Sequence, residues 1–154
     1  FLKFNKVCKY NTKRRHAFNR LQCEEVARWK QYWNNVFEEY FKFRIGIDSN
    51  FKRHSKITYE ISLTPGIQTL DPKYVRIYLL EEGKEILING KSVNNFSDLE
   101  DSNIRDGAKI LYKKTVTSSI NKSYTFKMWL SDKYELDEVK KTFSCFVNVD
   151  AYEN

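Results

Sequence analysis

The stretch SYTFKMWLSD (residues 123–132) decides the fold class, because its apolar and polar side chains alternate. Its predicted inward row is Tyr124, Phe126, Met128 and Leu130, and its outward row is Thr125, Lys127, Trp129 and Ser131. A period of two is typical of a β-strand that packs one face on a core. The stretch therefore predicts a strand, with Trp129 as an aromatic on the face that should contact water.

Other segments repeat this period. In TFSCFVNVDAY (residues 142–152) the predicted inward row is Phe143, Cys145, Val147 and Val149, which leaves Phe146 outward. Further alternating segments begin near Phe41, Tyr59, Val75 and Ala108, with turn residues such as Gly83 between them. About seven short strands separated by polar turns are typical of an all-β domain. We predict a mainly β fold, an antiparallel β-sandwich.

The N-terminal third has a different pattern. From Arg14 to about Tyr40 the apolar residues fall near helical spacing, with gaps, and no glycine or proline interrupts them. This favours a helix from about residue 14. Residues 1–56 carry a charge balance of +9 and residues 57–154 one of −2, so the basic character belongs to the first part. We expect a basic, partly helical extension over residues 1–40 and a β-sandwich domain over residues 41–154.

Two longer stretches carry a family resemblance. LTPGIQTLDPKYVRIYLLEE and, about fifty residues later, SYTFKMWLSDKYELDEVKKTFSCFVNVDAY together resemble the TasA/camelysin group of secreted β-sandwich proteins of Gram-positive bacteria. The resemblance covers about residues 41–152. It implies a jelly-roll-like sandwich that is exported and held at the cell surface or in a biofilm matrix.

The sequence offers little for catalysis or metal binding. It contains neither an H-E-x-x-H motif nor a glycine-rich phosphate loop. Cys145 is predicted to point inward, where burial makes a thiol unreactive. The spacing of Cys8, His16 and Cys23 matches none of the usual zinc patterns. We expect no catalytic residue, no cofactor and no metal.

Two acidic runs leave calcium as an alternative. Their members are Asp98, Glu100, Asp101 and Asp106 in the first run, and Asp132, Glu135, Asp137 and Glu138 in the second. Neither run has the spacing of a calcium-binding loop. Solvated acidic loops are the preferred interpretation.

Outward-facing aromatics are the candidate binding residues of the domain. They are Trp129, Phe146, Tyr74 and Tyr78. An aromatic face in water can bind a sugar, a partner strand or a second copy of the chain. The alternative is that the N-terminal segment covers this face with Trp29, Trp33 and Phe37.

The candidate basic patch lies in the extension. It consists of Lys9, Lys13, Arg14, Arg15 and Arg20. Basic residues interleaved with aromatics suit single-stranded nucleic acid, and a basic stretch before a Trp-rich helix suits an anionic membrane surface or a wall polymer. A solvated extension is the preferred interpretation, so we do not expect nucleic acid as the partner. A membrane would enter only through an upstream anchor.

The functional hypothesis is a non-enzymatic, extracellular or cell-surface module that works by protein–protein contact or self-assembly. Its mechanism would be edge pairing between strands, with exposed aromatics giving specificity. The alternative is a module that binds a carbohydrate or cell-wall polymer through Trp129. A third hypothesis is nucleic-acid binding through residues 1–20.

Overall fold

The computed structural model describes residues 41–47, 56–135 and 141–153 in full, and only the backbone of residues 4–11, 20–23, 30–31, 37–38 and 40. The strands are β1 Phe4–Asn11, β2 Arg20–Cys23, β3 Lys30–Gln31, β4 Phe37–Glu38, β5 Tyr40–Ile47, β6 Ile57–Pro65, β7 Val75–Glu81, β8 Lys84–Glu85, β9 Val93–Asn95, β10 Lys109–Val116, β11 Ile120–Leu130 and β12 Thr142–Glu153. Two single-turn 3₁₀ helices span Pro72–Tyr74 and Phe96–Asp98. The protein is mainly β, as predicted.

Two larger antiparallel sheets hold most of these strands. The first sheet has the order β10-β6-β12-β1-β2, and the second has the order β5-β11-β7-β8, with β9 also paired to β7. Strands β3 and β4 form a separate pair. The pairing of β10 with β6 shifts register between Ile110 and Tyr112, which is a β-bulge. Antiparallel pairing throughout agrees with the short, polar turns read from the sequence.

The predicted N-terminal helix is not supported. Within residues 14–40, the described residues form β2, β3, β4 and the first residue of β5, and the others lie outside the description. Near-helical spacing with gaps is a weak signal, and at residues 20–23 backbone pairing with β1 overrides helix propensity. Strand β1, where the sequence shows no clear period, pairs with β12 in the first sheet. The division of the chain at residue 40 stays a prediction.

One hydrophobic core takes side chains from both sheets. The predicted inward rows of β11 and β12 are all buried, with Tyr124, Phe126, Phe143 and Cys145 fully so. The Cys145 thiol of β12 lies 3.9 Å from the Met128 sulfur of β11. The inward rows of β5, β6 and β7 complete the same core. The alternation of the sequence therefore predicted which side chains of these strands enter the hydrophobic core, although polar residues on the other face of β6, such as Glu60 and Ser62, are buried as well.

Two tight turns shape the edge beside β7. Glu82 and Gly83 connect β7 to β8 with positive φ at both residues, and Asn89 and Gly90 repeat this geometry. Two central residues with positive φ match the twist of an antiparallel hairpin. The turn predicted at Gly83 is confirmed, and it sends β8 back alongside β7.

The outer face of the first sheet carries a polar network under residues 99–108. Ser102 hydrogen-bonds to Oε1 of the buried Glu60, whose Oε2 has no partner. Arg105 donates two hydrogen bonds to Asp150 on β12, at 2.6 and 2.7 Å. This bond to Asp150 raises the pKa of Arg105 further above its usual range. The two contacts hold the connection 99–108 against β6 and β12.

Candidate functional site

The outer face of the second sheet brings two of the predicted aromatics together. Trp129 of β11 and Tyr78 of β7 lie with ring centroids 6.5 Å apart, at an interplanar angle of 62°. Arg76 is directly opposite Trp129, and Lys127 is directly opposite Tyr78. Because cross-strand partners share a face, the four side chains form one cluster. We call Arg76, Tyr78, Lys127 and Trp129 the aromatic–cationic face.

Contacts on both sides fix the Tyr78 ring. Lys127 Nζ lies 5.7 Å from the ring centroid, within the range of a cation–π contact. The Tyr78 hydroxyl donates to Glu85 Oε1 of β8 at 2.8 Å. Arg76 Nη2 lies 3.9 Å from Asp132 Oδ1, but Asp132 is 92% exposed, so that ion pair contributes little. The face therefore presents two half-buried aromatics among groups that donate and accept hydrogen bonds.

Tyr74 lies at the end of the first 3₁₀ helix and packs on the core. Its ring meets that of Tyr134 at 5.1 Å, edge to face. Its carbonyl accepts the Ser131 N–H at 2.7 Å, which ties the helix to the end of β11. Tyr74 is half-buried and structural in this arrangement.

Phe146 lies on β12 and so belongs to the first sheet. It is 38% exposed and stands beside Thr64 of β6 and Val7 of β1 in the register. The structure thus places Phe146 in a different sheet from Trp129 and Tyr78. The four aromatics were predicted to share one surface. In the structure only Trp129 and Tyr78 contact each other, whereas Tyr74 lies in a 3₁₀ helix and Phe146 in the other sheet.

Most residues of the predicted basic patch lie outside the residues that the structure describes. Lys9 lies in β1 opposite Ser144 of β12, and Arg20 begins β2 opposite Asn11. Lys13, Arg14 and Arg15 lie outside the described residues, as do Trp29 and Trp33, which were predicted to cover the sheet. Both hypotheses stay predictions.

A buried hydrogen-bond relay is the main polar feature that sequence reasoning missed. The Tyr124 hydroxyl donates to Glu81 Oε2 at 2.6 Å, and the Tyr59 hydroxyl lies 2.5 Å from that of Tyr124. Since the Tyr124 proton is committed to Glu81, Tyr59 must be the donor to Tyr124. Lys114 Nζ approaches Glu81 Oε1 at 3.4 Å. The relay runs from the core to a carboxylate with an ammonium beside it.

The tyrosines in and beside the relay have raised pKa values, and burial is the main cause. Burial is the largest cause for Tyr124, followed by its hydrogen bond to Glu81. Burial also raises the pKa of Tyr59 and of Tyr112, whose ring centroid lies 6.2 Å from that of Tyr124. All three phenols therefore stay protonated in the folded protein across the neutral range. One signal in the sequence was available, since a tyrosine in an inward row needs a partner for its hydroxyl.

The relay ends at an open cleft of about 500 Å³ between β7, β8 and β10. Its walls carry acidic, basic and apolar groups together: Glu81, Glu82, Lys84, Glu85, Ile86, Leu87, Tyr112 and Lys122. Leu87 is 64% exposed at the rim. Glu85 belongs both to this cleft and to the Tyr78 contact, so the cleft adjoins the aromatic–cationic face.

The thiol and several of the acidic residues that the sequence singled out for catalysis or metal binding are buried, paired with other side chains or outside the described residues. Cys145 is buried, and burial raises the pKa of its thiol to about 12. In the described part of the chain no three His, Cys, Asp or Glu side chains are grouped as metal ligands would be. Asp101 pairs with Lys109 at 2.7 Å, and Asp98 accepts from Asn95 at 3.2 Å. His16, Asp137 and Glu138 lie outside the described residues.

Comparisons with known proteins give no relative. No family model, no curated protein and no solved structure matches the chain. The resemblance to the TasA/camelysin group therefore stays a prediction. Over the described residues, no helix combines the length and the apolar character that a membrane crossing requires.

Proposed function

We propose that this protein is a non-enzymatic module that works at a cell surface or in an extracellular matrix by protein–protein contact, including contact between its own copies. The observation that carries the proposal is the aromatic–cationic face beside the edge strand β5. Aromatic side chains and arginine are the groups enriched at the energetic centres of protein interfaces. The module would be a jelly-roll-like sandwich, which the core shared by the two sheets supports.

Strand β5 supplies the edge for pairing. Among the residues that the structure describes, β11 is the only strand that pairs with it. Its buried Phe41, Phe43 and Ile45 alternate with exposed residues, so its position in the sheet is fixed. Arg44 is held by Asn121 and Ser123 of β11, at 3.1 and 3.2 Å. Strand β5 has eight residues and ends the described order of the second sheet, and the proposed partner strand would pair at this end of the sheet.

The aromatic–cationic face begins on the strand next to β5. Lys127 of β11 is opposite Tyr40, the first residue of β5, and Trp129 lies two residues further along β11. A strand added beyond β5 would lie two strand spacings from β11, about 10 Å away. Backbone pairing would then give affinity, and the aromatic–cationic face would give specificity.

Sedimentation of the full chain over a range of concentrations tests the proposal. We expect concentration-dependent assembly that Trp129→Ala weakens by about tenfold or more, the effect of removing a central aromatic. Thr125→Ala is the matched control, because Thr125 lies on the same face of the same strand and has little side chain to contribute. A wild-type chain that remains monomeric at high concentration would rule out self-assembly.

A second candidate is binding to a carbohydrate or cell-wall polymer. The Trp129–Tyr78 cluster favours it, because Arg76 and Glu85 place hydrogen-bonding groups beside aromatic rings. Co-sedimentation with insoluble cell-wall polysaccharide tests this function. Binding that is lost in Trp129→Ala and kept in Thr125→Ala, by a chain that stays monomeric, would select this candidate over the first.

A further inference from the structure

The register of the first sheet aligns every cysteine of the chain. Cys8 of β1 is the direct partner of Cys145 on β12 and of Cys23 on β2. The chain has three cysteines in total. They therefore occupy one row across three neighbouring strands, on the same face of the sheet.

Direct antiparallel partners are close enough for a disulfide. Their Cα atoms lie about 4.5–5.5 Å apart, and disulfides span Cα distances of about 4.4–6.8 Å. The central residue, Cys8, has two partners at this distance. The sheet can therefore accommodate one bond, and either Cys23 or Cys145 is left as a thiol.

The surroundings of the two partners differ. Cys145 lies on a strand between β6 and β1, and its side chain is fully buried against Met128. Cys23 is the last residue of β2, the outermost strand on that side of the described sheet. A disulfide in solution must reach a thiol before it can exchange with it, and the attacking species is the thiolate. Because Cys145 is sealed in the core, the pair that such a reagent is expected to oxidise is Cys8–Cys23.

We propose that Cys8 and Cys23 form a redox-active cross-strand pair, which a low-molecular-weight disulfide oxidises while Cys145 keeps its thiol. In the first step a thiolate of the pair attacks one sulfur of oxidised glutathione, which forms a mixed disulfide and releases one glutathione. The second thiolate attacks the protein sulfur of that mixed disulfide and releases the other glutathione. Two protein thiols are oxidised, one glutathione disulfide is reduced to two thiols, and the two protons pass to the released glutathiones. The bond would fasten β2 to β1.

Peptide mapping by mass spectrometry under non-reducing conditions tests this inference on the folded full chain treated with oxidised glutathione. The expected main product joins the peptides of Cys8 and Cys23, in wild type and equally in Cys145→Ser. A main product that joins Cys145 to another cysteine, or glutathione adducts alone, would overturn the proposal.

A control variant with a shifted register shows whether the folded sheet directs the disulfide or whether the two cysteines pair only because they are close in sequence. Gln22 is the partner of Lys9, so Gln22→Cys combined with Cys23→Ser moves the thiol one residue out of the row. A one-residue shift changes the face of the sheet, whereas an unfolded chain would close the two loops equally well. We expect at least about tenfold less disulfide in this variant than in wild type under native conditions, and equal yields in denaturant. Equal yields under native conditions would show that the sheet does not direct the bond.

Discussion

The hydroxyl of Tyr59 on β6 donates a hydrogen bond to the hydroxyl of Tyr124 on β11, across the boundary between the two sheets. Both side chains are fully buried, so neither oxygen can turn to water instead. Tyr124 donates its own hydrogen bond to Glu81 Oε2, and this direction of the relay makes the two phenols unequal.

Removing the Tyr124 hydroxyl should destabilise the protein more than removing that of Tyr59. Tyr124→Phe leaves the Tyr59 donor without an acceptor and takes a donor from Glu81, at an expected cost of about 1–3 kcal/mol. Tyr59→Phe leaves the bond from Tyr124 to Glu81 in place, so the expected loss is about 0.5–1.5 kcal/mol. Urea denaturation of both variants and of the double variant measures the difference. Equal losses would contradict the assigned direction of the relay.

Stability should fall as the pH rises above about 10. The folded pKa of Tyr59, Tyr112 and Tyr124 is raised above the ordinary value of 10.0, so the unfolded chain loses these protons first. The unfolded state then binds fewer protons than the folded state, which favours unfolding. Cys145 contributes in the same direction between pH 9.0 and about 12.

Urea denaturation between pH 8 and 11 measures this slope. Cys145→Ser should remove the part that begins near pH 9, and Tyr124→Phe should reduce the part that begins near pH 10. A slope that neither substitution changes would contradict the assignment to these buried groups.

The two ion pairs near the connection 99–108 should differ in strength. Arg105 makes a bidentate, partly buried contact with Asp150, and Arg105→Ala should cost about 1–3 kcal/mol. Lys109→Ala removes the pair with Asp101, which is 83% exposed, and should cost less than about 1 kcal/mol. Hydrogen exchange at Ser102 and Ala108, whose backbones are bonded to each other, reports on the same connection. Faster exchange in Arg105→Ala, with little change in Lys109→Ala, is the expected result.

Two glycines should respond oppositely to alanine. A Cβ atom at Gly66 would lie 2.5 Å from Ser144 Oγ, which donates to the Ile67 carbonyl at 2.9 Å. Gly66→Ala should therefore destabilise the protein by about 1–3 kcal/mol. At Gly46 no atom of the described residues lies within 4 Å of an added Cβ and φ is not positive, so Gly46→Ala should stabilise by about 0.4–1 kcal/mol. Thermal unfolding of both variants checks this, and recovery of Gly66→Ala by Ser144→Ala would confirm the clash.

Alternation was sufficient to predict the longer strands after residue 40 and the side chains that they place in the core, but it did not predict the short strand β9, which lies in a polar stretch. Each of Tyr124, Phe126, Met128 and Leu130 is buried, because a strand that packs one face on a core must place every second residue there. Helical spacing with gaps was misleading at residues 20–23, which form a strand paired with β1. Period alone carries no information about such a partner strand.

The candidate site was harder to predict for the same reason. Trp129 and Tyr78 share a face because β11 and β7 are neighbours, and Phe146 is absent from that face because β12 belongs to the other sheet. The sequence of a single strand shows which of its residues point outward, but it does not show which sheet the strand joins. The Tyr59–Tyr124–Glu81 relay likewise needs three strands from two sheets.

The order of strands in the first sheet also affects how the chain must fold. Strand β12 lies between β6 and β1, so neither β6 nor β1 can complete its ladder before residues 142–153 have been synthesised. Until then the apolar row of β6 lacks half of its neighbours on the sheet. Pairing between segments so distant in sequence closes large loops and is slow. On the ribosome, the nascent chain would therefore carry an unfinished sheet with unpaired backbone groups for most of its synthesis, and this is the interval in which a holding chaperone would have most effect on yield.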